Sequence, residues 1–143
     1  IVILILSFVY PQSQKFELPK TLSGEQIIPH TGYTLSYNEK HEQANWVAYE
    51  LTAQELAGTV KRKDSFKSDP MVKTESASLA DYRKSGYDRG HLIPAADMKW
   101  STTAMSESFY MSNMSPQSPS FNRGIWKKLE SQFPMSQAWH DCV

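Results

Sequence analysis

The stretch YDRGHLIPAADM, residues 87–98, sets an arginine and a histidine on either side of a glycine. Gly90 and Pro94 both disfavour a helix, so the segment is expected to be extended. Alternate residues of a strand share a face, so Arg89 and His91 should lie side by side with Gly90 on the other face. Arginine offers a planar fork of donors that fits phosphate oxygens, and histidine can accept a proton near neutral pH. The pattern therefore favours a site that handles an anion.

A cation next to His91 disfavours the protonated imidazole, so Arg89 should keep His91 neutral and able to act as a base. A phosphate-binding cation beside a neutral base is the combination used to hydrolyse a phosphodiester with water, together with a divalent metal. A lone histidine in a strand is more often a structural hydrogen-bonding residue. The hypothesis therefore depends on what other residues accompany this strand.

A helix is predicted over SPSFNRGIWKKLESQF, residues 118–133. Ser118 is a favourable N-cap, Pro119 falls at the first helical position, and Pro134 ends the helix. At 100° per residue the apolar side chains gather on one arc, which should be the buried face. That arc consists of Phe121, Ile125, Trp126, Leu129 and Phe133.

Asn122 falls near the middle of this apolar arc and Glu130 at its edge. A buried amide needs a partner or costs about 1–3 kcal/mol. Its oxygen could ligate Mg²⁺, which takes oxygen ligands and keeps several waters, and Glu130 could hold one of those waters. The alternative is that Asn122 is an ordinary hydrogen-bonding residue at a helix start. The three basic residues of the helix are expected to point away: Arg123, Lys127 and Lys128.

The chain as a whole has the composition of one folded domain, with 143 residues, 40% of them hydrophobic and 21% charged. Lys+Arg and Asp+Glu are equal at 15 each, so the formal net charge is zero. This balance argues against a long-range basic field but leaves room for a local basic site.

The remaining segments predict an α+β domain with a mostly antiparallel sheet. Residues 30–38 and 44–52 are rich in strand-forming residues and are joined by five residues that suit a hairpin loop. Residues 53–86 are polar and irregular, with a short helix expected near residues 79–85. A further short strand is predicted over residues 107–115.

The first nine residues, IVILILSFV, form an apolar run that is too short to span a membrane. We interpret residues 1–20 as the remnant of a signal peptide with its linker, and residues 21–143 as the folded domain. A secreted or periplasmic location follows from this interpretation, and no stable membrane insertion is expected. The alternative is a buried strand. The C-terminal QAWHDCV reads as a strand cut in mid-pattern, so the domain is expected to be incomplete at its C-terminus.

Three motifs occur in a fixed order: DRGH (residues 88–91), SNMSPQ (residues 112–117) and FNRGIWKKLE (residues 121–130). Together they resemble the DNA/RNA non-specific endonuclease family, whose members have the ββα-metal fold and include endonuclease G. The resemblance covers residues 30–143. It implies an α+β fold built around a metal site. One departure is the sequence SQFPMS after Glu130, where some family members carry a further arginine.

The resemblance also implies roles for individual residues. His91 would be the general base and Asn122 the direct protein ligand of Mg²⁺, with Mn²⁺ as an alternative metal. Glu130 would orient metal-bound waters, and Arg89 would contact phosphate or stabilise the transition state. Two further roles are implied: Asn113 supports the site beside His91, and Arg62, four residues before Phe66, grips the substrate backbone. Asp88 is expected to be a structural partner of the motif.

The function implied is Mg²⁺-dependent cleavage of DNA and RNA with little sequence preference, since arginines suit phosphates rather than base edges. A homodimer is compatible with this function. Two alternatives belong to other classes. One is a nucleic-acid-binding module of the same fold that no longer cuts, and the other is a metal-dependent phosphoesterase that acts on small substrates.

Overall fold

The computed structural model describes residues 18–21 and 23–132. The apolar run at the N-terminus and the predicted helix end at Phe133 and Pro134 lie outside the described residues. Within the described part of the chain, no helix is long and apolar enough to cross a membrane.

Three antiparallel strands form the first sheet in the order β1 (Gln26–Pro29), β2 (Thr34–Asn38) and β3 (Gln43–Ala48). β2 lies in the centre, and its residues are buried on both faces except for the last one. The predicted hairpin is confirmed, although β3 ends earlier than expected. The sequence did not predict β1, because four residues are too few to establish a period.

A second, two-stranded sheet carries the Arg/His motif. β4 (Asp88–His91) pairs antiparallel with β5 (Met114–Gln117), and Gly90 lies opposite Ser115. The extended conformation predicted for residues 88–91 is confirmed. Arg89 is exposed while Gly90 and His91 are buried.

The strand predicted over residues 107–115 is wrong. This segment begins at the end of helix α3 (Thr102–Glu107), continues through a 3₁₀ turn (Met111–Asn113) and becomes strand only at Met114. The Ser101 hydroxyl caps α3 by accepting from the Ala104 backbone N–H at 3.3 Å. Helices, turns and strands that are all buried carry the same apolar residues, so composition alone could not separate them.

Two single-turn helices interrupt the irregular region between the sheets. These are α1 (Ala53–Leu56) and α2 (Leu79–Tyr82), and each begins with a capping box. In α2 the Ser78 hydroxyl and the Asp81 carboxylate supply the reciprocal bonds. The short helix predicted near residues 79–85 is therefore confirmed.

The main core lies between the three-stranded sheet and the segment that follows β4. Its buried members are Ile28, Tyr33, Leu35, Tyr37, Val72, Ile93, Met98 and Ala104. A smaller cluster joins Ala95, Met105 and Phe109, with Val60 and Phe66 packed against it. Ile93 belongs to the main core and Ala95 to the smaller cluster. Because both follow His91 closely, their packing fixes the end of β4.

The final helix is kinked, in contrast to the straight helix predicted. It consists of α4 (Pro119–Phe121), a π-helical turn (Asn122–Trp126) and α5 (Lys127–Gln132). Gly124 leaves helical geometry with φ −101° and ψ −107°. Pro119 is at the first helical position as predicted, whereas the Ser118 side chain makes no capping bond.

The predicted buried face of this helix is wrong for three of its members. Phe121, Ile125 and Leu129 are 40%, 53% and 39% exposed. The π turn and the kink change the angular spacing, so a wheel drawn at 100° per residue assigns these side chains to the wrong side. Trp126 is half-buried and faces β4.

Candidate active site

A cleft of about 280 Å³ opens between β4, the loop before α2 and the kinked helix. Five of the six residues that the sequence singles out line it: Arg62, Arg89, His91, Asn122 and Glu130. These residues come from three separate segments of the chain. The fold therefore brings the strand with Arg89 and His91 together with the Asn122 amide. The sequence alone establishes only the order of these residues along the chain.

His91 lies at the end of β4 and is 8% exposed. Its ring contacts two phenylalanines, with centroid distances of 5.8 Å to Phe66 and 5.0 Å to Phe109. Within the described residues, Nε2 of His91 is buried without a hydrogen-bond partner. An unpaired buried ring nitrogen is costly in a structural position, so its presence calls for a functional explanation.

The pKa of His91 is lowered from 6.5 to about 4, first by burial and then by the positive charge of Arg62. Arg89 adds to the effect, while Asp64 opposes it. Burial and nearby cations both disfavour the imidazolium form. His91 is therefore neutral at pH 7, in the direction that the sequence predicted, although burial rather than Arg89 is the larger cause.

Two of the arginines that line the cleft, Arg62 and Arg89, stack on the same phenylalanines that contact His91. Cζ of Arg89 lies 4.2 Å from the Phe66 ring centroid, and Cζ of Arg62 lies 5.1 Å from that of Phe109. A stacked guanidinium keeps its N–H donors directed outward in its own plane. Arg89 makes no hydrogen bond within residues 18–21 and 23–132, so its donors are available to an anion.

Among the described residues Arg62 has one hydrogen-bond partner, since its Nε donates to Oδ1 of Asp64 at 2.7 Å. Both side chains of this pair are more than half exposed. Exposed ion pairs of this kind contribute little, at most about 1 kcal/mol. An incoming phosphate can therefore compete with Asp64 for Arg62.

Asp88 holds the start of the kinked helix. Its Oδ2 accepts from Nδ2 of Asn122 at 3.0 Å, and its two oxygens accept from Nε and Nη2 of Arg123 at 2.7 and 2.6 Å. These bonds lower the pKa of Asp88, that from Arg123 most. Asp88 is thus the structural partner that the motif led us to expect.

This contact also determines which way the Asn122 amide faces. A carboxylate can only accept, so Asn122 must present its NH₂ group to Asp88. The amide oxygen of Asn122 is left without a hydrogen-bond partner among the described residues. Asn122 lines the cleft, so this oxygen is a candidate neutral ligand for a cation there.

Glu130 supplies a carboxylate to the same cleft and is half-buried. Burial raises its pKa most; Asp97 acts in the same direction, while Trp126 and Arg62 oppose the shift. The indole N–H of Trp126 donates to the backbone carbonyl of His91 at 3.3 Å. This bond ties the kinked helix to the strand that carries His91.

The oxygen atoms of Asn122 and Glu130 suit a hard divalent cation. Within the described part of the chain, no group of three or more His, Cys, Asp or Glu side chains could hold a metal ion. Such an ion would therefore depend on water and on substrate oxygens for the rest of its coordination, as Mg²⁺ commonly does. The cleft is otherwise cationic, which favours simultaneous binding of a phosphate. The residues present fit a weakly held Mg²⁺.

The model of one family, described as DNA/RNA non-specific endonuclease, matches residues 12–140. The chain belongs to the DNA/RNA non-specific endonuclease family. This confirms the family predicted from the three motifs in residues 88–130.

Three nucleases similar to this chain are each about 40% identical to it. The mitochondrial nuclease EXOG of Danio rerio is 42% identical over 81% of this chain and 34% of its own length. Human mitochondrial endonuclease G is 40% identical over 73% of this chain and 36% of its own. Nuclease C1 of Cunninghamella echinulata var. echinulata is 41% identical over 76% of this chain and 45% of its own length. The chain thus spans less than half the length of these relatives.

A solved structure gives the same result for the fold. A chain in the crystal structure of the EndoG/EndoGI complex, which concerns the mechanism of EndoG inhibition, superposes with a TM-score of 0.67 at 36% identity. The match covers 74% of this chain and 45% of that one. The mixed helix and antiparallel-sheet architecture of the endonuclease family is therefore confirmed.

Asn113, the sixth predicted residue, does not line the cleft. It is fully buried, where its Oδ1 accepts from the Ile93 backbone N–H at 3.0 Å and its Nδ2 donates to the Ser108 carbonyl at 2.8 Å. Its own carbonyl accepts from the Leu92 N–H at 3.0 Å. Asn113 therefore fixes the backbone that follows His91 rather than reaching the cleft.

Sequence reasoning missed three residues that line the cleft or support its lining. Arg123 and Lys127, predicted to point away, both line the cleft because the helix is kinked. Phe109 was assigned to a strand, although its ring carries His91 and Arg62. The glycine inside the helix pattern was the available signal for the kink.

Proposed function

We propose that this chain is the catalytic part of a metal-dependent endonuclease that hydrolyses phosphodiester bonds in DNA and RNA with little sequence preference. The observation that carries the proposal is the cleft itself, which a neutral buried His91 lines together with Arg62, Arg89 and Asn122. Among the described residues the amide oxygen of Asn122 has no hydrogen-bond partner. Family membership and the names of the relatives support it.

His91 acts as the general base and takes a proton from the attacking water. A pKa of about 4 would make it a weak base in the free protein. A bound phosphate offsets the positive charges of Arg62 and Arg89, which are two of the causes of the low pKa. Substrate binding therefore raises the basicity of His91 when it is needed.

Arg89 and Arg62 bind the oxygens of the scissile phosphate and stabilise its increased negative charge in the transition state. Their stacking on Phe66 and Phe109 fixes the planes of their donors. Contacts of this kind go to the backbone, which is the same for every nucleotide. Little sequence preference follows.

Asn122 would hold Mg²⁺, with Mn²⁺ as the alternative, and Glu130 would orient its waters. When bound, the metal supplies stabilisation of the charge on the leaving oxygen. The chain's contribution is to aim one amide oxygen into the cleft, and Asp88 does this by occupying the NH₂ group. Asn113 supports the site indirectly through the backbone after His91.

The decisive experiment is a plasmid-nicking and RNA-cleavage assay on the complete protein, with Mg²⁺, Mn²⁺ or EDTA. We expect cleavage that requires metal and disappears in His91→Ala, while binding of a labelled oligonucleotide persists. A binding module of the same fold would bind in both forms and cut in neither. A small-molecule phosphoesterase would hydrolyse methyl 4-nitrophenyl phosphate far better than either nucleic acid.

We also propose export from the cell, to a secreted or periplasmic location, on the strength of the apolar run IVILILSFV followed by polar residues. N-terminal sequencing of the mature product tests this. A product that starts close to Gln14 supports export, and one that retains the run contradicts it. A homodimer is a further proposal, for which sedimentation of the complete protein is the direct measurement.

A further inference from the structure

A second groove continues from the cleft. It has a volume of about 490 Å³ and shares Phe66, Arg89 and Asn122 with the cleft, so the two form one continuous depression. Its own walls come from α2 and the turn that follows, with Leu79, Tyr82, Arg83 and Tyr87. None of these four belongs to the catalytic arrangement described above.

Tyr87 stands at the rim of this groove and is 55% exposed. Its backbone is held in place, because its N–H donates to the Ser85 hydroxyl at 3.1 Å and that hydroxyl donates to the Tyr82 carbonyl at 2.9 Å. Gly86 supplies the positive φ of 83° that the turn needs. The position from which the aromatic ring projects is therefore fixed before any ligand arrives.

Tyr82 forms the inner wall and is itself anchored. It is half-buried and packs with Phe66 against the cluster of Ala77, Met111 and Met114. The groove thus has one aromatic wall fixed by the core and one aromatic residue at the rim. Because both residues are already held in place, a planar ligand can stack on their rings with little loss of conformational entropy.

The charge available to a ligand in this groove is positive. Arg83 is exposed, and its guanidinium has no partner within residues 18–21 and 23–132. Asp88 also lines the groove, but its carboxylate is occupied by Asn122 and by two bonds from Arg123. Arg83 and Arg89 therefore line the groove as two cations whose guanidinium groups make no hydrogen bond or ion pair with the described residues.

Aromatic rings and arginines with available donors that line the same groove are the features by which proteins hold a single nucleic-acid strand. We propose that this groove is a subsite for the nucleotide next to the scissile phosphate, with its unpaired base stacked on Tyr87 and the adjacent phosphate on Arg83. The preferred ligand is a single-stranded or locally unpaired segment. The inference rests on the proposed nuclease function and adds that the preferred substrate is single-stranded or locally unpaired nucleic acid.

An exposed tyrosine is often only part of the surface, so the ring itself must be tested. We compare wild type with Tyr87→Ala, Tyr87→Leu and Tyr87→Phe in the complete protein, on a single-stranded oligodeoxynucleotide and on its duplex. Loss of one stacked base corresponds to about a 5- to 150-fold fall in kcat/KM. We expect that fall on the single strand for Ala and Leu, mainly through KM, and recovery in Phe. On the duplex, where bases are already paired and stacked, the effect should be much smaller.

Arg83→Ala provides an independent measurement. Binding of a fluorescent deoxythymidine oligonucleotide in EDTA should weaken, and the slope of log Kd against log salt should become shallower by about one contact. Lys73→Ala is the matched control, since Lys73 is exposed and does not line the groove. Equal salt slopes for the two variants would overturn the phosphate contact.

Methyl 4-nitrophenyl phosphate separates the two levels of the proposal, because it carries no base to stack. If wild type hydrolyses neither this diester nor DNA, the nuclease function fails. If wild type cuts and Tyr87→Ala retains the wild-type ratio of single-strand to duplex kcat/KM, the subsite is wrong while the nuclease function stands. A selective loss on the single strand with unchanged hydrolysis of the diester supports the subsite.

Discussion

Nδ2 of Asn122 donates to Oδ2 of Asp88 at 3.0 Å, and that carboxylate also accepts two hydrogen bonds from Arg123. Asp88 begins strand β4 while Asn122 begins the π turn, so this contact joins the two segments that form the cleft. It also selects the face of the amide that is available for a metal. In the proposed site, Asp88 would therefore act through the orientation of Asn122.

Asp88→Ala should weaken metal binding without removing the metal ligand itself. The Asn122 amide would then be free to rotate, and partners of this kind typically change metal affinity by about 10- to 100-fold. The measurement is the Mg²⁺ concentration that gives half-maximal cleavage. Glu39→Ala, at an exposed acid in the β2–β3 turn, is the control. An unchanged Mg²⁺ dependence in Asp88→Ala would contradict the positioning role.

Asn122→Ala should abolish cleavage and metal binding together, because the amide oxygen that we propose as the metal ligand is lost. Asn122→Asp keeps an oxygen ligand and should retain metal binding, although its carboxylate faces that of Asp88. Glu130→Ala should affect metal affinity less than Asn122→Ala, since Glu130 acts through water. Melting and Mg²⁺-dependent turnover are measured on the same samples. A destabilised Asn122→Ala with full turnover per folded molecule would rule out the metal role.

The low pKa of His91 predicts a loss of stability in weak acid. In the unfolded chain the imidazole pKa is about 6.5, whereas in the folded protein burial and Arg62 lower it to about 4. Above pH 6.5 both states are neutral and the full stability is present. As pH falls from 6.5 to 4, the unfolded chain takes up a proton that the folded protein excludes, so stability falls.

The size of this effect is up to about 3 kcal/mol by pH 4. His91→Asn removes the titrating group, so the free energy of unfolding of the variant should fall less between pH 7 and weak acid than that of wild type. Urea denaturation at a series of pH values measures the difference. Carboxylates and the other histidines titrate in both proteins and cancel. Parallel pH profiles for the two proteins would show that His91 has no lowered pKa.

The sequence could predict those parts of the site that follow from a pattern within a few consecutive residues. The Arg89/His91 pair followed from the two-residue period of a strand, which is a local property. The orientation of the helix did not follow, because Gly124 and the π turn break the 100° spacing on which the wheel depends. Arg123 was missed because its partner, Asp88, lies 35 residues away in the chain and no local pattern joins them. The order of the three motifs was enough to identify the family. The contact between the Phe109 ring and His91 could be found only once the fold was known.

Gly90 separates Arg89 from His91 because of a side chain on the neighbouring strand. A Cβ atom at Gly90 would lie 2.1 Å from Cδ and 2.3 Å from Oε1 of Gln117, far inside contact distance. Gln117 belongs to β5, and its Oε1 is buried without a hydrogen-bond partner among the described residues. Gly90→Ala must therefore displace the flexible end of the Gln117 side chain, and the cost in the free energy of unfolding should be small, about 1 kcal/mol.

A double-mutant cycle tests whether Gln117 is the reason for the glycine. Gln117→Ala removes the three atoms nearest to the added Cβ, so Gly90→Ala should be nearly neutral in that background. The coupling energy should equal most of the cost of Gly90→Ala alone. Urea denaturation of the four proteins gives the cycle. If Gly90→Ala is equally costly with and without the Gln117 side chain, backbone strain in β4 rather than this contact is what excludes a side chain between the arginine and the histidine.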